Sequence, residues 1–536
     1  MRDHLVLYIN GARHTVRGRD AFLSLSDFLR LRLGLIGTKI VCSEGDCGAC
    51  TVLVGRPTKS KVESGKWKVE GTDDASASFH FPLSAFRFSY LPVDSCIQFL
   101  FQLDGTHVVT VEGLRPDGQL NSVQQAMIDC HGSQCGFCTP GFVMAMTGLR
   151  EEHNEFDVEC LQTGLTGNLC RCTGYTPIIE AGLKCNDADH ERLSDLYPPG
   201  PMLAEFKRLV AEPITLHSEW FGEPHVAACP TTLDDALDFL AELPTAVIVA
   251  GATDIGVRVN KTGRIPRAIL DLSRVEALRS ISIKDDQLIC GARATWTDVL
   301  TFLPAPSPLR GGLGRGAEVR LDDANKTVSA GLKEFTRILS TFGAPQIRHV
   351  GTIGGNIANA SPIADSLPML FVMEARLTLA RSASAGRSTR EVNINDFYLG
   401  YKKLDLHPGE LIKEVGIPLP AKDEHVRLYK VTRRRDLDIS GFTAAIRLRL
   451  SDNDEITHAS IALGAVGPTV LRPRRTEQFL IGKPLTEETM QAAGDLAVEE
   501  ITPIDDVRGS ANYRRQLTRN VFLKFYHQHQ ASFAPV

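Results

Sequence analysis

Cys42-Ser43-Glu44-Gly45-Asp46-Cys47-Gly48-Ala49-Cys50 decides how this chain is read. It is a C-x4-C-x2-C run, rich in glycine, that follows a short apolar stretch near the N-terminus. Three thiolates this close together need a common soft partner. An iron–sulfur centre supplies one, taking three cysteines from one loop and a fourth from further along. Gly45 and Gly48 let the loop curl and aim backbone N–H groups at the sulfurs, which a helix or strand does not allow. A zinc site would show paired C-x2-C knuckles, and a disulfide cluster would accompany an export signal. The opening Met1-Arg2-Asp3-His4 runs straight into an alternating strand pattern, so the iron–sulfur reading fits better.

At 536 residues the chain is too long for one core, and about three or four domains are expected. Its 43% hydrophobic and 23% charged residues are ordinary for a globular protein. A formal net charge of −5 gives no case for nucleic acid or an anionic membrane surface. No apolar run approaches a membrane span, and no signal-peptide pattern precedes Leu5. With 13 cysteines in such a chain, metal and redox work outrank disulfides. The expectation is a cytoplasmic protein.

Leu5, Leu7 and Ile9 alternate as a strand, Asn10-Gly11 supplies a two-residue hairpin turn, and Arg13–Val16 returns. A helix begins at Leu25-Ser26-Asp27 with Ser26 as N-cap and stops at Gly34 or Gly37. Beyond the cysteine loop, Thr51–Val54 reads as a further strand. Hairpin, helix, ligand loop and strand make a small β-grasp fold, as in ferredoxins. Arg56–Pro92 is polar, with Lys, Ser and Gly throughout, and reads as a long surface insertion between strands. Cys96 then completes the first ligand set with Cys42, Cys47 and Cys50, just before a second strand pair around Val108–Val111.

A second constellation begins after Asn121, which caps a helix from Ser122 to Ile128. Gln134-Cys135-Gly136-Phe137-Cys138-Thr139-Pro140-Gly141 follows, with Thr139 and Pro140 as N-cap and N1 of a helix over Gly141–Glu151. Gly167-Asn168-Leu169-Cys170-Arg171-Cys172-Thr173-Gly174-Tyr175 brings a C-x-C pair to another helix start. Two pairs at helix N-termini suit a second [2Fe–2S] centre, whose negative charge the helix dipoles favour. A lone C-x2-C would fit thioredoxin-like or zinc sites equally well. Joined to the C-x-C and the upstream run, it is specific. Cys130, Cys160, Cys185, Cys229 and Cys290 are left over as buried thiols, and only Cys130 lies near enough in sequence to the second set to compete as a ligand.

From about Ala188 to Glu212 the chain is polar and carries Tyr197-Pro198-Pro199-Gly200-Pro201, which suggests a linker. A new domain opens near Pro213, with a capped helix at Thr232–Leu237 and a buried strand at Ala246–Ala250. That strand ends in Gly251-Ala252-Thr253-Asp254-Ile255-Gly256, a turn able to set N–H groups against a phosphate, though a structural turn is commoner. The partner stretch is Gly351-Thr352-Ile353-Gly354-Gly355-Asn356-Ile357-Ala358-Asn359-Ala360-Ser361-Pro362-Ile363-Ala364-Asp365. Paired glycines with interleaved Thr, Asn and Ser suit a pyrophosphate and ribityl chain, which need close backbone approach and short donors. Pro304–Asp323 reads as a further loop insertion. Strands at Leu428–Thr432, Thr443–Leu450 and Ala459–Val466, then a helical tail beyond Thr486, form the last domain. Arg434 and Arg435 read as a solvated strand end.

These motifs resemble, over almost the whole chain, the xanthine dehydrogenase / aldehyde oxidase / carbon monoxide dehydrogenase family of molybdenum hydroxylases. The resemblance implies a multidomain α+β chain. A β-grasp ferredoxin-like [2Fe–2S] domain would span 1–112, with an insertion at 56–92, and a four-helix [2Fe–2S] domain 113–187. After a linker at 188–212, an α+β FAD-binding domain of the vanillyl-alcohol-oxidase (PCMH) type would span 213–420. A C-terminal CO dehydrogenase flavoprotein-like domain would close the chain over 421–536.

The same resemblance assigns Cys42, Cys47, Cys50 and Cys96 to one cluster and Cys135, Cys138, Cys170 and Cys172 to the other. It carries FAD contacts onto Ile248, Val249, Ala250, Gly251, Ala252, Thr253, Asp254 and Ile255, and onto Thr352, Gly355, Asn356, Asn359, Ser361 and Asp365. Ile412 and Lys430 also match, the latter close to the flavin, where a cation would stabilise its reduced anionic form. No side chain here is expected to act on substrate. The family reading further implies a molybdopterin-containing large subunit as partner, in a hetero-oligomer that is a dimer of heterodimers. Electrons from hypoxanthine or xanthine, oxidised to urate there, would reach NAD+ through two [2Fe–2S] clusters and FAD. Other readings are a hydroxylase of aldehydes or N-heterocycles, and a non-catalytic iron–sulfur sensor, against which the intact 351–365 stretch argues.

Overall fold

The computed structural model describes residues 2–59, 86–115, 118–188, 192–220, 222–303, 332–383, 386–421 and 423–531. Asn10 and Gly11, at φ 49° and 79°, turn β1 (Leu5–Ile9) back onto β2 (Ala12–Val16), as a two-residue primed turn requires. The sheet is completed by β3 (Thr51–Lys59), β4 (Phe86–Asp94) and β5 (His107–Val109) in the order β2-β1-β5-β3-β4. β5 runs parallel to β1 and antiparallel to β3. The 108–111 region therefore supplies one strand rather than a pair, because Val111 already begins a short 3-10 turn.

β3 is apolar on both faces. Val52 and Val54 enter a core with Leu5, Leu7, Phe22 and Phe101, while Leu53 enters another with Val109, Phe142 and Met146. The two-residue period of a strand sends neighbours to opposite sides. The second core is the helical module, built from helices Ser122–Asp129, Thr139–Glu152, Val158–Gly164 and Thr176–Lys184. The first continues into Leu216, Val249 and Ile269 of the next module.

That module has a four-stranded sheet, β6 (Ile214–Trp220), β7 (Glu223–Cys229), β8 (Val247–Val249) and β9 (Ala268–Asp271), ordered β6-β7-β9-β8. Its second sheet joins β10 (Ile281–Lys284), β11 (Gln287–Gly291), β12 (Arg376–Ala383) and β13 (Gly386–Asn393). After a small hairpin of β14 (Tyr398–Gly400) and β15 (Lys403–Leu404), β16 (Glu410–Pro418) inserts to give the order β10-β11-β16-β12-β13. A last antiparallel sheet, β17 (Glu424–Val431), β18 (Phe442–Leu450) and β19 (Ile456–Gly464), shares a core with helices Glu487–Glu499 and Ala511–Ala531. Among the described residues no helix is long and apolar enough to cross a membrane.

Several expectations are corrected. The stretch 56–92 does not leave the sheet at Arg56: β3 runs to Lys59 and β4 returns from Phe86, with Pro57 opposite Phe88. Phe88 and Tyr90 are buried, and the alternating Phe86-Arg87-Phe88-Ser89-Tyr90 carries a strand signal that the polar average of the longer stretch hides. Residues 60–85 of that insertion, and those of 304–323, lie outside the described residues. The supposed linker holds helices Leu193–Leu196 and Gly200–Leu209, and the second of these buries Met202, Leu203 and Phe206. Phe206 packs edge-on against Tyr8 and Phe88, so the segment straps the first sheet. The N-cap of helix Leu25–Leu31 is Ser24, whose hydroxyl accepts from Asp27 N, while Ser26 is buried two positions further in.

His107 in β5 is wholly buried and bonded at both ring nitrogens. The Gly11 N–H donates to Nε2 at 3.1 Å, so Nε2 is the acceptor. The ring proton then sits on Nδ1, 2.7 Å from the Tyr90 hydroxyl. Burial pushes the imidazole pKa down to about 4, against about 6.5 in an unfolded chain. A depressed histidine stabilises the fold above its unfolded pKa, and that contribution, at most ~3 kcal/mol, is lost as pH falls from about 6.5 to about 4. Urea unfolding of His107→Gln beside the parent should therefore show a gap at pH 7.5 that narrows below pH 5. A gap of constant size across that range would remove His107 as the acid-sensitive element.

Candidate functional site

The cysteine loop takes its shape from three left-handed residues, Ser43, Gly45 and Gly48, at φ 57°, 72° and 65°. Gly48 has a second reason to lack a side chain, since a Cβ there would stand 2.2 Å from the Gly167 carbonyl oxygen. The Cys42 thiol meets those of Cys47 and Cys96, and Cys96 meets Cys50. Hydrogen bonds from Cys47 and Cys96 draw Cys42 far below the ordinary thiol range, while Cys96 is raised. The Glu44 N–H lies 3.4 Å from the Cys42 sulfur.

The second set pairs Cys135 with Cys172 and Cys138 with Cys170. Burial, then the Cys170 thiol, pushes Cys138 up to about 12. Cys138 is the N-cap of helix Thr139–Glu152, so Thr139 and Pro140 stand one position further in than expected. Cys170 and Cys172 lie in a turn ahead of helix Thr176–Lys184, where the Thr173 hydroxyl donates to the Cys170 sulfur at 3.2 Å. Among the described residues no three His, Cys, Asp or Glu groups gather around a single metal ion. Paired sulfurs are what a binuclear cluster needs, two for each iron, so the donor set fits [2Fe–2S] rather than a mononuclear metal. Cys130 stands apart, as the C-cap of helix Ser122–Asp129.

The glycine-rich stretches converge on a cleft of about 600 Å³ lined by Ile248, Ala250–Ile255, Thr352, Gly354, Gly355, Asn356, Asn359 and Ile412. Residues 353–359 form a helix with Thr352 as N-cap, its hydroxyl accepting from Gly355 N at 3.1 Å. The two glycines differ. A Cβ on Gly354 would stand 2.7 Å from Ala292, so Gly354 packs the helix against the strand end. Gly355 is exposed and would meet only the Thr352 hydroxyl. A Gly251 Cβ would stand 2.0 Å from the Val350 carbonyl oxygen, so that turn is glycine for packing as well.

Four family models match the chain. A "2Fe-2S iron-sulfur cluster binding domain" covers residues 7–78 and a "[2Fe-2S] binding domain" residues 110–183. A "FAD binding domain in molybdopterin dehydrogenase" covers 223–420 and a "CO dehydrogenase flavoprotein C-terminal domain" 427–529. The chain belongs to the molybdenum hydroxylase family. Xanthine dehydrogenase 1 of Arabidopsis thaliana is 30% identical across 97% of this chain, and Aldehyde oxidase 1 of Bos taurus 29% across 98%. In both cases the match spans 39% of the relative's length. A carbon monoxide dehydrogenase chain from Hydrogenophaga pseudoflava is 26% identical, covering 57% of this chain and 98% of that one, with a TM-score of 0.49.

As in the family models, this molybdenum hydroxylase chain carries two [2Fe–2S] domains and an FAD domain. Not every expected flavin contact lies in the cleft. Val249 points into the core. Ser361 and Asp365 line an adjoining cavity of about 270 Å³ that reaches Gly45, Asp46 and Ser440. Lys430 is buried, with Nζ 2.7 Å from Asp365 Oδ2 and 2.9 Å from the Thr341 carbonyl oxygen. Its charge is matched by a carboxylate, not held in reserve for a flavin. Arg258 and Lys402 line the cleft too, and Lys402 Nζ also bonds Asn359 Oδ1 at 2.7 Å. Neither cation stands in a stretch that reads as a motif.

Two outcomes follow for the loaded protein. Cys96→Ala should lose the iron of one cluster and leave the EPR signal of the other, whereas Cys130→Ala should leave both; the reverse pattern would transfer the ligand role to Cys130. Gly355→Val should keep both clusters but lose bound FAD, because Gly355 lines the cleft and a Cβ there would also press on the Thr352 cap hydroxyl at 2.8 Å. Gly354→Val should instead lower stability, by roughly 1–3 kcal/mol for an overpacked site. Stoichiometric FAD in Gly355→Val would place the flavin elsewhere.

Proposed function

We propose that the chain is the electron-transfer portion of a xanthine dehydrogenase. When bound, two [2Fe–2S] clusters and FAD supply one- and two-electron redox chemistry, linking hypoxanthine or xanthine hydroxylation at a molybdenum centre on a molybdopterin-containing partner to reduction of NAD+. In this reading Cys42, Cys47, Cys50 and Cys96 hold one cluster, and Cys135, Cys138, Cys170 and Cys172 the other. The cleft residues hold FAD, with Arg258 and Lys402 offsetting its pyrophosphate charge.

The observation that carries the proposal is the packing of the first cysteine set on the flavin module. Asn260 donates to the carbonyls of Cys96 at 2.8 Å and of Ser43 at 3.0 Å, tying both ends of the ligand set to helix Ile255–Thr262. Cys50, Cys96 and Ile97 share an apolar cluster with Val257 and Ile347. Gly256 lets that helix approach, since its Cβ would lie 2.5 Å from the Ile97 carbonyl oxygen. The second set faces outward: Ile128, Phe137 and Tyr175 around it are 57%, 48% and 41% exposed. An apolar collar there suits docking of the partner. The similarity to an aldehyde oxidase supports a second reading, in which the same portion serves an aldehyde or N-heterocycle hydroxylase.

Purified with its cofactors but without a partner, the protein should oxidise NADH with an artificial acceptor and should not oxidise xanthine. Xanthine oxidation should appear when the molybdenum-containing partner is added. NADH that fails to bleach the flavin would point to another acceptor. Xanthine turnover by the isolated chain would overturn the division of labour.

A further inference from the structure

A second, smaller cavity of about 70 Å³ lies on the seam between the ferredoxin-like sheet and the flavin module. From the sheet side come Arg56 of β3 with Gln98 and Gln102, and from the flavin side Ser273, Arg279, Arg293 and Thr295. Three guanidiniums at one small polar cavity need counter-charges, and these are unevenly supplied. Arg279 is engaged by Asp298 through two bonds of 2.9 and 2.8 Å. Arg293 reaches Glu276 at 3.1 Å, but that carboxylate is 68% exposed and screened by water. Arg56 makes one hydrogen bond, to the Gln102 carbonyl at 3.3 Å, and no ion pair among the described residues. Asp271, the buried acid closest in charge to this group, turns its oxygens to the hydroxyl and N–H of Ser273. Desolvation and the two neighbouring guanidiniums lower Arg56 to about 10, so an additional negative charge there would relieve a real repulsion.

We propose that this cavity binds one small tetrahedral oxyanion of the phosphate class. Arg56 and Arg293 are its principal cations, reaching it from opposite sides of the seam, and the Thr295 hydroxyl, whose oxygen accepts from Asp298 N, keeps its own proton to donate. Guanidinium forks match tetrahedral oxyanions better than any monatomic anion. The cavity is far too small for a nucleotide, so the ligand is a free ion rather than a substituent. Bound there, it would pin β3 to the flavin module and stiffen the seam on which the first cysteine set also depends. One other source of the same chemistry must be separated from it: Ala250 and Thr352 line both this cavity and the flavin cleft, so the FAD pyrophosphate is the competing occupant.

Equilibrium dialysis of the FAD-replete holoprotein against radiolabelled inorganic phosphate, with chloride holding ionic strength constant, tests this. We expect saturable binding of one phosphate per chain, displaced by sulfate and not by acetate. Arg56→Gln and Arg293→Gln should each weaken it at least about tenfold, with FAD absorbance and iron content retained, and Arg56→Lys should recover part of the loss. Absence of saturable binding, or equal binding in parent and both variants, would overturn the proposal. Phosphate that binds only after FAD is stripped would overturn it too, assigning the cavity to the pyrophosphate. Should the arginine variants shed their flavin, sulfate competition on the unaltered holoprotein decides, and failure of sulfate to displace phosphate would count against the site.

Discussion

The structure turns on a knot of buried amides where three modules meet. Asn168 Nδ2 donates to the Gly48 carbonyl at 2.9 Å, and Gln346 Nε2 donates to Asn168 Oδ1 at 2.9 Å and Thr51 Oγ1 at 3.3 Å. Leu169 N–H adds a bond to the Cys47 carbonyl at 3.0 Å. Residues flanking two cysteine segments and a flavin-module helix thus bond one another out of water: Gln346 is fully buried and Asn168 nearly so, although Gln346 Oε1 has no partner among the described residues. Each such bond contributes only about 1 kcal/mol net, but orphaning a buried partner costs ~1–3 kcal/mol, so the knot is worth more as a constraint than as a sum. It also explains the glycines around it. Gly48, Gly141 and Gly167 each have a backbone or amide atom where a Cβ would go, at 2.2, 2.2 and 1.8 Å.

The knot holds because the sheet beneath it has no free face. β3 gives Val52 and Val54 to one core and Leu53 to the other, and the strap of helix Gly200–Leu209 covers part of the second. The cores of the ferredoxin-like sheet and the flavin sheet are continuous, so these modules are not beads on a string. A buried ion pair reinforces the join: Arg2 bonds Asp104 at 2.9 and 2.8 Å, and Arg274 from the flavin module lies 3.6 Å from the same carboxylate. Breaking one partner of such a group leaves an uncompensated charge, which is why it fixes arrangement more than it adds stability.

What was legible in the sequence follows from range. The cysteine sets stand out because their geometry is written over nine residues or fewer per segment, and Cys96, the fourth member of the first set, had to be reached across a long gap. The Asn10-Gly11 turn and the Asn121 and Thr232 caps are local chemistry and were readable for the same reason. Helix Ile353–Asn359 was not, because two glycines in its first turn argue against a helix, and it is tertiary packing of Gly354 on Ala292 that imposes one. The strap at Gly200–Leu209 was lost behind its Pro-Pro-Gly-Pro entry, although Met202, Leu203 and Phe206 repeat at helical spacing. Arg258, Lys402 and the seam arginines belong to no motif at all. They matter through what lies opposite them, which no one-dimensional pattern contains.

Lys430, expected near the flavin, already has a carboxylate partner within the protein. Its neighbourhood is the flavin side of the molecule, yet the ammonium is matched by Asp365, whose other oxygen accepts from the Ser440 hydroxyl. Both side chains of the ion pair are under a tenth exposed. A cation so paired cannot also neutralise a reduced flavin without giving up its carboxylate, and in a site this dry that exchange is costly. The trio joins the residues after the flavin helix, strand β17 and the turn before β18. That turn carries Leu437 and Asp438 against Gly45 and Asp46 in the adjoining cavity. Lys430 therefore ties β17 to Asp365 after the flavin helix and, through that carboxylate, to Ser440 before β18.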